Sequence, residues 1–448
     1  MLSDISTRHF WNEKIKRDKN IICIWYMNIG CESIWRGEEN NIIPSVSNKN
    51  NQSIINGTEQ LCLLMAKQND VVILRESPPE IVLNSIRKIG FKGTNIWRVK
   101  NDSSLNHKNI SELILMDLEI LEQIRRLKYE NEDCEVLLIP YAVTYLDEEI
   151  ARITGCSLYS ADNNIVTWVN SKVNCRLLAD DIGLNVPFGF ICKGINETVD
   201  VLNKMYYEYK IEKFVVKEEY GASGKGFYII DSSESLEFFK RFILRGKKSK
   251  INVKLLIEKW YETLMDINYQ LFIDSGGEIY YIEPKEQIIK NGIYLGSKFL
   301  KKDDLPAEKS ENLKYSALKI GRKLSEIGYY GVASIDCILT RDGNIYPMIE
   351  INGRFSLSTY ISFLPDEVIK NRSLKCKYYN ICGENHTEVL LGKIEDYSFN
   401  EIEREGIIVY SFTKGRSNLC NSRIFMLLIA KDDYMLEDLE KRIDSIIV

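Results

Sequence analysis

An α/β domain followed by an α+β body of two lobes is the fold class this sequence predicts, and three observations carry it. Through the first 160 residues, apolar β-rich runs alternate with helical patterns, as in a largely parallel sheet covered by helices. Near residue 214 the pattern changes to paired strands joined by a glycine-rich turn. Beyond Asn268, turn signals at Gly276-Gly277 and Asp342-Gly343 separate further runs and predict antiparallel pairing. A chain of 448 residues allows two to four domains at about 100–200 residues each and buries ample core without disulfide or metal staples.

In chain order, residues 21–27, 71–74, 95–99 and 135–140 read as strands of the first sheet. The Asn-, Ser- and Lys-rich segment 45–57 between them reads as a mobile loop. No Gly-x-Gly-x-x-Gly follows any of these strands, which removes support for a dinucleotide site of the Rossmann kind. A helix is predicted from near Val169 to about Gly183, stopped by Asn185-Val186-Pro187 and followed by extended chain. Residues 214–216 and 227–230 form a predicted hairpin, followed by a helix over 234–244 and a strand at 254–257. The next strands are 269–274, 279–283, 333–340 and 345–351, and the last are 406–413 and 424–430, with a charged helix after Asp433. The expected domains are 1–165, 166–262 as a small lobe, 263–375 as a large lobe, and a C-terminal α+β extension over 376–448.

Composition excludes several function classes. Charged residues interrupt the first twenty positions, so no secretory apolar core is seen there, and the longest apolar run, 424–430, falls far short of the roughly 20 residues of a membrane helix. A cytoplasmic protein without a membrane partner is the expectation. Eleven cysteines without C-x-x-C spacing read as reduced, mostly buried thiols. With 59 basic against 64 acidic side chains, and only Lys247, Lys248, Lys250 and Lys254 clustered, a nucleic-acid surface is not expected. His9, His107 and His386 are widely separated in polar surroundings and read as surface residues.

Two constellations carry chemistry. In the first hairpin, Lys217 lies in the segment leading into a loop running from Gly221 through Ala222, Ser223, Gly224 and Lys225 to Gly226. Glycines let backbone N–H groups approach phosphate oxygens, and both lysines add charge, although such a loop alone is equally a plain turn. In the second, Asp336 lies on one predicted strand, with Glu350 and Asn352 on the returning one; alternation gives the latter two the same face. Three oxygen donors, two of them anionic, suit Mg²⁺, and a carboxylate inside such apolar runs is costly without a partner.

The order of these features resembles the ATP-grasp superfamily over about residues 165–360, and more narrowly the ligases with a pre-ATP-grasp domain that join amino acids or peptides or load an amino acid onto an acyl carrier protein. The resemblance implies two lobes with mainly antiparallel sheets clasping ATP. Lys172, in Asn170-Ser171-Lys172, is similar to the first phosphate lysine and Lys217 to the second; residues 221–226 resemble the loop over the triphosphate. Glu258, Lys259 and Trp260 resemble the hinge at adenine, and Asp266 a ribose contact. Asp336, Glu350 and Asn352 match the ligands of what are expected to be two Mg²⁺ ions, and Arg354 the cation facing the carboxylate or its acyl phosphate. Glu286, Gln287, Tyr294 and Ser297 resemble a stretch lining the acceptor side, and equally read as a structural connection. The implied reaction makes an acyl phosphate and ADP from a small carboxylic acid and ATP, after which an amine, from an amino acid or peptide, displaces phosphate. A carrier-protein thiol as acceptor, or a phosphotransferase on the same fold, are the alternatives, and a homodimer stays open.

Overall fold

The computed structural model describes residues 20–37, 42–43, 52–221, 226–245, 253–290, 292–381, 387–414 and 422–447. Its first sheet comprises β1 (Asn20–Tyr26), β2 (Val71–Leu74), β3 (Asn95–Arg98), β4 (Cys134–Pro140) and β5 (Ser157–Leu158) in the order β3-β2-β1-β4-β5, all parallel. Ile22 and Ile24 enter one apolar cluster and Cys23 and Trp25 another, so both faces of β1 are covered, as a parallel sheet requires. The run of hydrophobic residues without alternation reflects this. The predicted loop over 45–57 is corrected in part: Gln52–Asn56 is helical and continues into the tighter helix Gly57–Leu64, while 45–51 lies outside the described residues.

The small lobe is a four-stranded antiparallel sheet, β6-β9-β7-β8, built from β6 (Gly189–Lys193), β7 (Phe214–Glu218), β8 (Phe227–Ile230) and β9 (Lys254–Lys259). The helix Ser233–Arg245 packs Leu236, Phe239 and Ile243 against it. The large lobe holds eight strands: β10 (Thr263–Ile273), β11 (Ile279–Lys290), β12 (Ile293–Phe299), β13 (Gly331–Thr340), β14 (Ile345–Asn352), β15 (Ser373–Ile381), β16 (Gly406–Thr413) and β17 (Ser422–Ala430). Their order is β14-β13-β10-β11-β12-β15-β17-β16. The 20-residue helix Ala307–Glu326 buries Leu313, Ala317, Ile320 and Leu324 against one face.

The strands at 293–299 and 373–381 went unread in the sequence, and they are the ones that join the C-terminal segment to the rest. Position 376 falls inside β15, which pairs β12 on one side and β17 on the other, so residues 376–448 extend the large-lobe sheet. No described helix is long and apolar enough to cross a membrane.

The N-terminal sheet docks on this C-terminal extension. Gln60 donates from Nε2 to the Phe412 carbonyl and accepts from its N–H, both at 3.0 Å, across 352 positions of sequence. Gln60→Leu keeps the volume but leaves two buried backbone groups without partners. At about 1–3 kcal/mol each, urea unfolding should show a loss of about 2–6 kcal/mol; a midpoint unchanged from the parent would mean that the docking does not depend on this pair.

Candidate functional site

The predicted helix from Val169 begins at Lys172 and runs to Asp181, a second helix, Asn163–Val169, precedes it, and the break between the two positions the first cation. Ser171 caps the second helix by accepting from the Asn174 N–H at 3.1 Å, and its hydroxyl donates to Glu219 at 2.7 Å. Asn170 exchanges two hydrogen bonds with Gly353, just past the end of β14, donating from Nδ2 at 3.3 Å and accepting at Oδ1 at 3.1 Å. A Cβ on Gly353 would lie 2.7 Å from Val169 Cγ1, so glycine permits this approach. The helix and β14 are thereby locked together. Lys172 then reaches Glu350 Oε2 at 2.6 Å and donates to the Gly221 carbonyl at 2.8 Å.

One turn on, Arg176 projects from the same helix face and bonds Glu258 Oε1 at 3.2 Å, while Lys217 on β7 takes Glu258 Oε2 at 2.7 Å. Arg176 escaped the sequence reading, although its i+4 spacing from Lys172 was the available signal. Glu258 is buried between these cations near the end of β9, and Lys259 and Trp260 lead from it into β10. Trp260 is partly exposed, with Lys213 Nζ 5.4 Å from its ring centre. Residues 258–262 are thus the connection between the two lobes.

Asp336 and Glu350 are direct cross-strand partners on β13 and β14. Asn268 on β10 and Gln287 on β11 each donate to Asp336 Oδ1 at 2.8 Å. The Asn352 amide nitrogen lies 3.2 Å from Asp336 Oδ2 and 3.4 Å from Glu350 Oε1. Burial, and then the charge of Glu350, push the Asp336 carboxyl up to about 7. Burial also works against Glu350, but Lys172 and, further off, Lys217 hold it below the ordinary carboxylate range. Two carboxylates facing one another with amides at their flanks form a hard-oxygen site that a divalent cation would neutralise. Among the described residues no group of three His, Cys, Asp or Glu side chains converges; the candidate donors are these two carboxylates, with Asn352 turning its amide nitrogen to them and its Oδ1 to Arg354. This set fits Mg²⁺, with its remaining oxygens left to phosphate and water.

Arg354 departs from expectation. β14 ends at Asn352, and the chain turns there through a hydrogen bond from the Arg354 N–H to the Asn352 carbonyl at 2.8 Å. The guanidinium, 8% exposed, pairs with Glu32 at 2.9 Å, donates to Tyr141 Oη at 2.7 Å and to Asn352 Oδ1 at 2.9 Å, and lies over the Tyr141 ring. It therefore joins the metal strand to the carboxyl ends of the first sheet and is not a free fork in the cleft. Its buried Nε has no partner among the described residues.

The structure brings other expected residues to the site unevenly. Gly221 and Gly226 flank the loop, while Ala222, Ser223, Gly224 and Lys225 lie outside the described residues. Asp266 sits two residues before Asn268 on β10, its carboxyl raised by burial and then, against the Thr263 hydroxyl, by nearby Glu286. Of the stretch 286–297, Gln287 joins Asp336, whereas Tyr294 and Ser297 bond one another at 2.8 Å and meet Cys376 across the sheet. That stretch is the β11–β12 hairpin, in which Tyr294 and Ser297 face Cys376 of β15.

A residue unread in the sequence lies beside them. Lys285 is buried on the same strand as Gln287, donates to Ser362 Oγ at 2.6 Å and has no carboxylate in ion-pairing reach among the described residues. Burial pushes its ammonium down to about 8. A network running from Ser358 through Gln270 and Asn268 to Asp336 lies on the same face.

Fold and site together resemble one class: the chain is similar to the ATP-grasp proteins, and its relatives are ATP-dependent ligases of the ADP-forming kind. Residues 171–363 match the family model described as "Carbamoyl-phosphate synthase L chain, ATP binding domain". Along nearly its whole length the chain is similar to a particular protein, "[Butirosin acyl-carrier protein]--L-glutamate ligase" of Niallia circulans, 27% identical over 431 residues and 94% of each chain. The N-terminal section of the carbamoyl phosphate synthase large chain of Methanopyrus kandleri is 28% identical over 220 residues, 48% of this chain and 36% of that one. Among solved structures, N5-carboxyaminoimidazole synthetase from Staphylococcus aureus superposes with a TM-score of 0.54 at 12% identity, covering 96% of this chain and 98% of that one. Biotin carboxylase from Campylobacter jejuni gives 0.55 at 12% identity, covering 96% and 92%.

The mutual dependence of Lys172 and Glu350 is measurable. In a double-mutant cycle of Lys172→Met and Glu350→Gln, each single change leaves one mostly buried charge uncompensated, and the double change should be less harmful than their sum. A coupling of about 1–3 kcal/mol is expected from denaturation midpoints; additivity within about 0.5 kcal/mol would show that the pair is not coupled.

Proposed function

We propose that the protein phosphorylates the carboxylate of an amino acid with ATP and passes the acyl group to the thiol of an acyl carrier protein. The observation that carries the first half is the Asp336–Glu350 pair facing Lys172, with Lys217 behind it on the small lobe. The second half is supported by the relative whose likeness runs the length of the chain and whose name states a carrier protein and L-glutamate. A free amine as acceptor would use the same machinery, and the product decides between them.

In this reading ATP lies between the four- and eight-stranded sheets, with adenine at Glu258, Lys259 and Trp260 and the triphosphate directed toward Lys172, Lys217 and the loop at 221–226. The protein's part is alignment and electrostatics: little covalent chemistry falls to side chains in phosphoryl transfer. Mg²⁺, held by Asp336, Glu350 and Asn352, would neutralise charge on the phosphate oxygens. Lys172 and Lys217 exchange their present carboxylate partners for phosphate oxygens. The substrate carboxylate attacks the γ-phosphorus, ADP leaves, and the thiol then displaces phosphate from the acyl phosphate. In this reading Arg354 exchanges its present partner Glu32 for the acyl phosphate while Tyr141 keeps its plane.

ADP and inorganic phosphate should therefore accumulate in step with product, and hydroxylamine should trap a hydroxamate. Stoichiometric AMP would replace this mechanism by adenylation. Mass spectrometry of a carrier protein incubated with enzyme, ATP and L-glutamate should show the aminoacyl adduct; an amide product with an untouched carrier would assign the acceptor to an amine. Arg354→Ala should keep ATP affinity within a few-fold while turnover falls about 10²–10³-fold. Because the change also strands half-buried Glu32, the comparison belongs at a temperature where circular dichroism shows the variant folded, and near-normal turnover there would confine Arg354 to joining domains.

A further inference from the structure

Arg354 is held in place by groups that leave its charge uncancelled. Its guanidinium donates to Tyr141 Oη at 2.7 Å, to the Phe355 carbonyl at 3.2 Å and to Asn352 Oδ1 at 2.9 Å, and these three fix its plane. Burial keeps the Tyr141 phenol and the neighbouring Cys31 thiol protonated, and Glu350, the other carboxylate acting on Arg354, is already matched by Lys172 at 2.6 Å. The counter-charge is therefore Glu32, whose Oε1 lies 2.9 Å from Nη2. A guanidinium oriented by neutral partners and neutralised by one side chain is an anion site with an internal occupant.

That occupant is able to leave. Gly30 turns the chain with a φ of 91°, and the short helix Glu32–Arg36 follows. The helix is anchored by other residues: Trp35 Nε1 donates to the Val143 carbonyl at 3.3 Å and Arg36 Nη1 to Glu218 Oε2 at 3.2 Å. Glu32 forms no second ion pair among the described residues and its side chain is 17% exposed, so turning its own torsions carries it to water while the helix stays. The place it vacates adjoins the carboxylate pair, because Asn352 bonds Arg354 through Oδ1 and sets its amide nitrogen 3.2 Å from Asp336.

We propose that Glu32 substitutes for the carboxylate of the acid in the empty enzyme, neutralising Arg354 until the acid displaces it and so restraining ATP hydrolysis in the acid's absence. This rests on the reading of Arg354 as the cation facing the activated carboxylate. With Glu32 in place, a compensated guanidinium draws little charge onto the transferred phosphoryl group. In the restrained side reaction water replaces the acid: its oxygen bonds the γ-phosphorus, the bond to ADP breaks with its electron pair going to ADP, and a proton of the water passes to solvent. Glu32 acts through Arg354 and is a positioning residue.

The full chain with Mg²⁺-ATP, without acid or carrier protein, tests this. Glu32→Gln, which keeps the size and removes the charge, should raise ADP and phosphate release about three- to tenfold, a gain that loss of a merely structural ion pair does not produce. Glu32→Asp, which keeps the charge, should stay within about twofold of the parent, and adding Arg354→Ala to Glu32→Gln should remove the rise. Calorimetry with Mg²⁺-ATP should place every variant within a few-fold of the parent, which reports folding and an intact nucleotide site. Unchanged or slower hydrolysis by Glu32→Gln beside parent-like ATP binding would overturn this inference and leave the ligase reading standing. So would a rise that Glu32→Asp shares or that survives Arg354→Ala, and loss of ATP binding in Glu32→Gln would make the pair a structural clamp. A parent that binds no Mg²⁺-ATP would remove the ligase reading and this inference with it.

Discussion

Two half-buried carboxylates set face to face on neighbouring strands constrain everything around them. Asp336 and Glu350 cannot both be charged in that position without compensation, and the chain supplies it from four directions: Asn268 and Gln287 from the adjoining strands, Asn352 from β14 itself, and Lys172 from a helix of another segment. The break in that helix, the Ser171 cap and the bare Cα of Gly353 are consequences, since each serves to bring Lys172 within reach of Glu350. Glu258 repeats the arrangement on the small lobe, held between Lys217 and Arg176. One helix face thus ties the floor of the cleft to both lobes.

The first sheet is joined to this centre by two polar contacts of opposite sense. Glu32 on the N-terminal segment holds the Arg354 guanidinium, and Glu218 on β7 accepts from the Ile42 and Ile43 N–H groups at 2.7 and 2.6 Å while pairing with Arg36 at 3.2 Å. A short stretch after β1 therefore touches both the large lobe and the small one. Domain closure on a nucleotide would have to carry that stretch along or break one of these contacts.

Much of this was legible before the structure. The parallel strands 71–74 and 135–140 announced themselves as unbroken apolar runs, and Asp336, Glu350 and Asn352 as polar residues inside such runs, because a buried charge violates the local pattern visibly. Lys285 violates its pattern as well, but Pro284 and the neighbouring Glu283 and Glu286 disguise it as part of a charged connection. The setting of Arg354 was not legible, because nothing in Asn352-Gly353-Arg354 marks the last paired residue of the strand. The strands 293–299 and 373–381 were missed for a different reason. Their lysines and tyrosines weaken the period-2 signal, and their identity as strands comes from partners far away in sequence.

The Gln60–Phe412 bond pair has a temporal consequence as well. At synthesis rates of about 5–20 residues per second, its second half emerges from the ribosome about 20–70 s after its first. During that interval the strands of the parallel sheet are available to pair, yet the surface formed by the helix Gly57–Leu64, which ends up against β16, has no cover. Nascent chains would therefore carry that surface uncovered for most of their elongation.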